Sequence, residues 1–350
     1  DAQVQVLAAL ARYPASRVRP AALQAARRDA PDEVRIAALK LLEAAGDAST
    51  VPFLVETATS EKKGPVQDAA RRALGGLRGR EVDDAIVGGL KQPASDAAAA
   101  ELLRAAADRR IFLAKPAVSA SLASAPAGVR IEALKALRAI GTPSDVAPVL
   151  DLLLKTEDEA EQLEAERTVT ALLQKVGAPN GRFALLRMRL ATEKRPAARA
   201  KLFALLPPTA DGAALPVLRT ALGDSDAGVV DAAARAIAAW PTATARDDML
   251  GLVKDAKDET HRLLAFAGLV RIVGLEVHRL PRAAVADLKM LSGLAWRPEE
   301  QKLVLGALAT FPCQEALDLA KGLMQNEALK AEAQAAIDTI TLRMQRPQRR

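Results

Sequence analysis

One stretch of this chain comes back. Asp32-Glu33-Val34-Arg35-Ile36-Ala37-Ala38-Leu39-Lys40-Leu41-Leu42 is echoed by Pro65-Val66-Gln67-Asp68-Ala69-Ala70-Arg71-Arg72-Ala73-Leu74. It returns as Gly128-Val129-Arg130-Ile131-Glu132-Ala133-Leu134 and as Gly228-Val229-Val230-Asp231-Ala232-Ala233-Ala234. The lead valines 34, 66, 129 and 229 stand about one, two and three steps of roughly 32 residues apart, a period that belongs to stacked helical repeats. A unit of that size cannot bury its own apolar face. Its few large aliphatic side chains do not offset the ordering of about thirty backbone residues. Neighbours must supply the rest, so the 350 residues are expected to form one quasi-one-dimensional array rather than two or three globules.

Composition fits thin helical layers. Half the residues are apolar, mainly Ala and Leu, and aromatics are only 3%, so the core is built from strong helix formers and not from large rings. A single cysteine, Cys313, excludes an internal disulfide framework and a cysteine-rich metal site. No apolar run approaches the roughly 18–20 residues of a membrane span. The start at Asp1, without Met and already in a helical pattern, is read as a cut from a processed or longer protein.

Each repeat reads as helix A, turn, helix B, turn. The spacing predicts an A helix near 2–12 and a B helix near 17–28, with Pro20 in the first turn of B, where a missing N–H costs least. Helix A of the second repeat is expected over 32–45, with Asp32 as N-cap, and helix B over 50–59 behind Pro52. The pairs 65–75 and 81–91 follow, with Gly75-Gly76 and Gly88-Gly89 read as breakers. Further repeats fall near 94–123, 128–155, 158–192, 196–223 and 226–255. The ninth, from Asp258, carries an insertion at Gly274-Leu275-Glu276-Val277-His278-Arg279-Leu280-Pro281. The tenth has its A helix near Pro298 and its B helix near 314–325. An unpaired helix near 327–345 closes the array ahead of the basic tail 346–350.

The Asp-x-x-Val-Arg-x-x-Ala opening of helix A, with proline near the start of B in Val51-Pro52-Phe53-Leu54 and Leu215-Pro216-Val217-Leu218, resembles HEAT repeats of the short, phycobilisome-lyase-like kind. The resemblance covers almost the whole chain. It implies an all-α fold, a right-handed α-solenoid of about ten HEAT-like helix pairs over 1–345, with the B helices on the inner surface. In the final third, Arg297-Pro298-Glu299-Glu300-Gln301-Lys302-Leu303-Val304, Glu315-Ala316-Leu317 and Asn326-Glu327-Ala328-Leu329-Lys330 look like the C-terminal repeats of secreted bacterial HEAT proteins. In that group the repeats accompany sugar-acting or haem-bearing domains. The abundance of Ala and the excess of Arg over Lys fit a GC-rich bacterial genome. Together these point to a bacterial chain, periplasmic or secreted.

The chemistry-bearing residues are few. His261 and His278 lack any His-Glu or His-x-x-x-His spacing, and the resemblance to HEAT-type hydroxylases stops at the missing His-Glu pairs. His261 occupies the slot of Val34 and Val129, which favours a half-buried structural role; His278 lies in the insertion and is expected in solvent. Cys313 falls at the start of a B helix, a position that can lower a thiol pKa, yet no Cys–His arrangement accompanies it. No glycine-rich phosphate loop is present. Tryptophans 240 and 296 sit at repeat turns, where they either cover a core edge or offer a contact.

Charge is more telling. Between 177 and 205 lie Arg182, Arg187, Arg189, Lys194, Arg195, Arg199 and Lys201 against Glu193 alone, so the whole formal net charge of +6 is found there. An acidic run precedes it: Glu157, Asp158, Glu159, Glu161, Glu164 and Glu166. Either the two runs face each other as antiparallel neighbours and neutralise, or the arginines form a band for phosphate, sulfate or an acidic protein. Arg182 and Arg189, seven apart, share a face opposite Phe183, Leu186 and Leu190. Nucleic acid is disfavoured, because no aromatic platform interleaves these arginines.

The sequence therefore predicts a non-catalytic scaffold or docking module that meets a protein or another domain of its own polypeptide. It needs no metal or cofactor and has no catalytic set. Arg182, Arg187, Arg189 and Arg195, with His278 and Arg279 of the insertion, are the expected contacts. Two alternatives stand beside this: an accessory region of a larger secreted sugar-acting or haem-bearing protein, and a HEAT-like lyase or DNA glycosylase working through an inner-face carboxylate.

Overall fold

A computed structural model describes residues 2–275 and 280–345, and among them only helices and connecting turns occur. The chain forms two compact units, Asp1–Val176 and Gly177–Arg350. The first holds α1 (Ala2–Leu10), α2 (Ala15–Ala25), α3 (Asp32–Ala45), α4 (Val51–Ser60), α5 (Pro65–Gly76), α6 (Arg80–Lys91), α7 (Asp96–Asp108), α8 (Lys115–Ser124), α9 (Ala127–Ile140), α10 (Val146–Leu153) and α11 (Glu159–Gln174). The second holds α12 (Pro179–Thr192), α13 (Pro196–Ala204), α14 (Leu215–Ala221), α15 (Ala227–Ala238), α16 (Arg246–Asp255), α17 (Glu259–Leu275), α18 (Pro281–Leu294), α19 (Pro298–Leu308), α20 (Gln314–Leu323) and α21 (Lys330–Gln345). Odd-numbered helices are the A helices of the repeat and even-numbered ones the B helices. The final helix stands without a following partner among the described residues, as the spacing predicts.

The two kinds of helix differ in what they bury. Within each unit every A helix packs along the next A helix, whereas B helices touch their B neighbours only lightly. The residues explain this. The A helices carry small residues where two axes meet, as at Ala38, Ala70, Ala106, Ala133 and Ala234, all fully buried. Leucines such as Leu39, Leu103 and Leu137 fill the spaces between. Gly268 of α17 shows how tight the approach is: a Cβ there would lie 2.5 Å from the Ala238 carbonyl oxygen and 3.0 Å from the Met249 sulfur. Several B helices carry proline in their first turn, at Pro52, Pro116, Pro216 and Pro281, where the lost N–H has no intrahelical acceptor to miss.

Three local expectations are corrected. Pro20 is not in the first turn of its helix. Pro14, with φ −57° and ψ 135°, is the N-cap, so α2 begins two residues early and Pro20 lies inside it. Asp32 is not an N-cap either; Pro31 takes that place and Asp32 sits in the first turn, accepting from the Arg35 guanidinium at 3.3 Å. Ser95, Asp158 and Asp226 do cap their helices. Gly88-Gly89 does not break the chain: α6 runs through both glycines, because Val82, Ile86 and Leu90 hold it against α7.

Within each unit, cations tie neighbouring repeats together. Midway along α5, Arg71 binds Glu101 of the following A helix through contacts of 2.6–3.2 Å, and nearer the N-termini Arg130 of α9 binds Glu161 of α11 at 2.5 and 3.0 Å. Arg262 pairs with Glu300 in the same way. At the other end, the last carbonyls of an A helix lack intrahelical partners. A cation about 34 residues on supplies the donor. Arg109 reaches the carbonyls of Gly75 and Leu77, Lys175 those of Arg138 and Gly141, Arg271 those of Ala238 and Trp240, and Arg343 that of Ala309.

Candidate docking surface

Because the A helices take the close contacts, space is left on the B side. Grooves open there between neighbouring B helices, over the N-terminal ends of A helices. One of about 1010 Å³ lies between α6 and α8, lined by Val87, Gly88, Leu113, Ala117 and Ala120. Phe112, beside Leu113, is 65% exposed. A second, of about 460 Å³, lies on the other flank of α6, between it and α4, with Val51, Val55, Gly89 and Leu102 on its walls. In the second unit a groove of about 450 Å³ separates α18 from α20, and Arg282 crosses it to Glu315 at 2.9 Å. Another, of about 620 Å³, runs along α16. These are shallow, mostly apolar clefts, suited to the side chains of another macromolecule.

The arginines singled out from the sequence are brought close along one helix. Arg182, Arg187 and Arg189 are on α12, and Arg195 follows in the turn to α13. Arg187 is exposed beside Met188, which is 79% exposed. Arg195 is held by Glu193 at 2.9 Å, and this guanidinium lowers the Glu193 carboxyl to about 2. Arg199 donates to Asp224 at 2.6 Å and lies over the Phe203 ring. His278 and Arg279 lie outside the described residues. The acidic run of α11 finds cations inside its own unit: Glu161 takes Arg130, and Glu164 takes Arg138 at 2.5 Å. The sequence left open whether that run neutralises the arginines of α12, because it cannot show that acids and bases meet one repeat apart.

The other candidates resolve differently. His261 is half-buried, as its slot suggests, with Nε2 2.9 Å from Asp231 Oδ1 on the preceding A helix. Cys313 caps α20 without donating or accepting a capping bond; burial pushes its thiol up, and nearby Glu315 adds to this, so the helix N-terminus does not make it a thiolate. Trp240 is fully buried, its indole N–H donating to Thr244 at 3.1 Å. Trp296 is its opposite: 71% exposed, its ring 3.6 Å from the Arg262 guanidinium. That stacking closes the outer side of the buried Arg262–Glu300 pair. Glu300 also accepts from the Trp296 amide at 2.6 Å. The buried carboxylates among the described residues, Glu101, Asp145, Glu161, Glu164 and Glu300, each meet a cation. None is an isolated acid at the bottom of a pocket.

Two layers of A and B helices with one repeating contact pattern define an α-solenoid. The family described as HEAT repeats matches residues 1–75 and again 19–108, and a similar helix pair recurs to the last described helix. Among solved structures, Kap121p bound to Nup53p is similar with a TM-score of 0.55 and 15% identity, covering 92% of this chain and 41% of that one. Kap121p bound to the SUMO protease Ulp1p gives 0.53 and 14%, covering 93% and 41%. Kap121p bound to Ste12p gives 0.53 and 14%, covering 92% and 41%. The chain spans about two fifths of the length of these proteins, and at such identity the likeness is one of fold. No curated protein matches the sequence. Among the described residues no helix is long and apolar enough to cross a membrane.

Proposed function

We propose that the protein is a non-catalytic docking module that holds another protein, or another domain of its own polypeptide, against the B side of its repeats. The observation that carries this reading is the placement of the grooves. They open between B helices, where apolar side chains such as Val87, Leu113 and Leu319 line accessible space, while the A layer spends its apolar surface on the next repeat. The similar solved structures bear Nup53p, Ulp1p or Ste12p, so the fold is one on which proteins dock. Exposed Arg187 and half-buried Arg182 and Arg189 of α12, with Arg195, are proposed as a contact for an acidic patch on the partner. Exposed charge of this kind raises association rate and salt sensitivity more than final affinity.

Photo-crosslinking separates this from other readings. A benzophenone side chain placed at Val87 or Leu319 on the B side is expected to capture a discrete partner from the native source. The same group at Lys40 or Arg72, exposed on A helices, is expected to capture none. Capture from the A positions alone would overturn the proposal. Charge reversal at Arg182 and Arg189 that left the partner's salt dependence unchanged would remove α12 from the contact.

A further inference from the structure

The groove along α16 differs from the others in charge. Its apolar walls come from Leu222 at the end of α14, Val230 of α15, and Leu252 and Ala256. Its rim is acidic: Asp247, Asp248, Asp255 and Asp258, against Lys257. Asp248 is held by Arg219 at 2.6 and 2.9 Å. Asp258 caps α17 by accepting from the amides of Thr260 and His261, at 2.7 and 3.3 Å. Asp247 and Asp255 are exposed and make no ion pair among the described residues. Between them on the same helix face stands Gly251, four residues from each, and a Cβ at Gly251 would meet nothing within 4 Å. Two open carboxylates thus bracket a bare, apolar-walled gap.

We propose that this groove binds an extended basic segment of a protein, with one apolar side chain seated over Gly251 and a Lys or Arg on each side reaching Asp247 and Asp255. The inference rests on the docking reading above and names the chemistry of one occupant. Eight helical residues separate the two aspartates, about 12 Å along the axis. An extended chain covers that in about four residues, so the occupant has the form basic-x-apolar-x-basic. The protein as a whole carries a formal charge of +6 and repels cations, so a basic segment is drawn here by the local acidic rim and not by the net field.

The probe is a fluorescein-labelled peptide with the core Lys-Ser-Leu-Ser-Lys, titrated into the full chain by anisotropy. Asp247→Lys with Asp255→Lys is expected to weaken it about tenfold or more, and salt to weaken it further. Gly251→Leu fills the gap without touching a charge. It is expected to weaken the probe several-fold while circular dichroism shows the helix kept, since leucine is the better helix former. A core with both lysines replaced by glutamate is expected not to bind. If the charge variants bind the probe as well as the native chain, or the glutamate peptide binds equally, the proposal is overturned. If only the charge variants matter and Gly251→Leu does not, the attraction is diffuse and the groove is not the site. The crosslinks at Val87 and Leu319 lie in other grooves, so their loss would overturn the docking reading separately.

Discussion

At the scale of single residues, the strongest demands come from groups that have no alternative partner. Glu300 is 1% exposed and depends on Arg262, which is itself 4% exposed and also donates to the Leu294 carbonyl at 2.7 Å. Arg262→Ala leaves a buried carboxylate without its cation and removes the floor under Trp296. It is expected to lower stability by about 3–5 kcal/mol, read from chemical denaturation. Removal of Trp296 alone leaves the ion pair in place and is expected to cost less than a third of that. Gly268→Ala tests the A-layer contact. The added methyl group meets the Ala238 carbonyl carbon and oxygen, backbone that cannot move alone, so a loss of about 1–3 kcal/mol is expected despite the gain in helix propensity. A neutral result would mean that α15 and α17 are free to separate.

At the scale of helices, the cations that close A-helix ends connect local structure to the repeat. Arg271→Ala strips the donor from the Ala238 and Trp240 carbonyls. Water can replace part of it at this half-buried site, so about 1 kcal/mol is the expected loss, measured as a shift of the denaturation midpoint. Paired carboxylates within and between repeats set the acid limit. The Arg35 guanidinium holds the Glu61 carboxyl below its usual range. Burial would raise Glu101, but Arg71 and Arg104 outweigh it and the carboxyl is lowered. Asp231 is lowered by Arg235 and by His261. A carboxyl depressed by folding contributes stability that is complete above its unfolded value, near pH 4. That contribution is lost as pH falls through the folded value. Denaturation midpoints are therefore expected to fall below about pH 4 and to change little from 5 to 8; a midpoint insensitive to acid would mean that these pairs do not hold the repeats together.

What the sequence revealed follows the same division. Helix positions were legible because apolar periodicity and the prolines in the first turns of B helices are local signals, and α3, α4 and α6 fall within one residue of where they were expected. Gly88-Gly89 misled because glycine is a breaker by propensity, whereas packing of Ile86 and Leu90 decides here. The carbonyl-capping cations were invisible because donor and acceptor lie a whole repeat apart. Asp247, Gly251 and Asp255 were visible as a four-residue spacing, yet nothing in the sequence shows that the space beside Gly251 is open. The basic band drew attention by its count, but Glu193 and Asp224 already engage Arg195 and Arg199.

At the scale of the whole molecule, both units share one economy: the A layer supplies cohesion, and the B side is left accessible. A-helices α7, α9, α15 and α17 bury long faces, as Leu103, Leu134, Ile237 and Phe266 show, while α6, α16 and α20 bury three residues or fewer. Local opening should follow that difference, because elements with few buried contacts open at lower free energy. Amide hydrogen exchange of the free protein, read helix by helix with mass spectrometry, tests it most directly. The account predicts slower exchange in α7, α9, α15 and α17 than in α6, α16 and α20; equal or stronger protection of the B helices would contradict it.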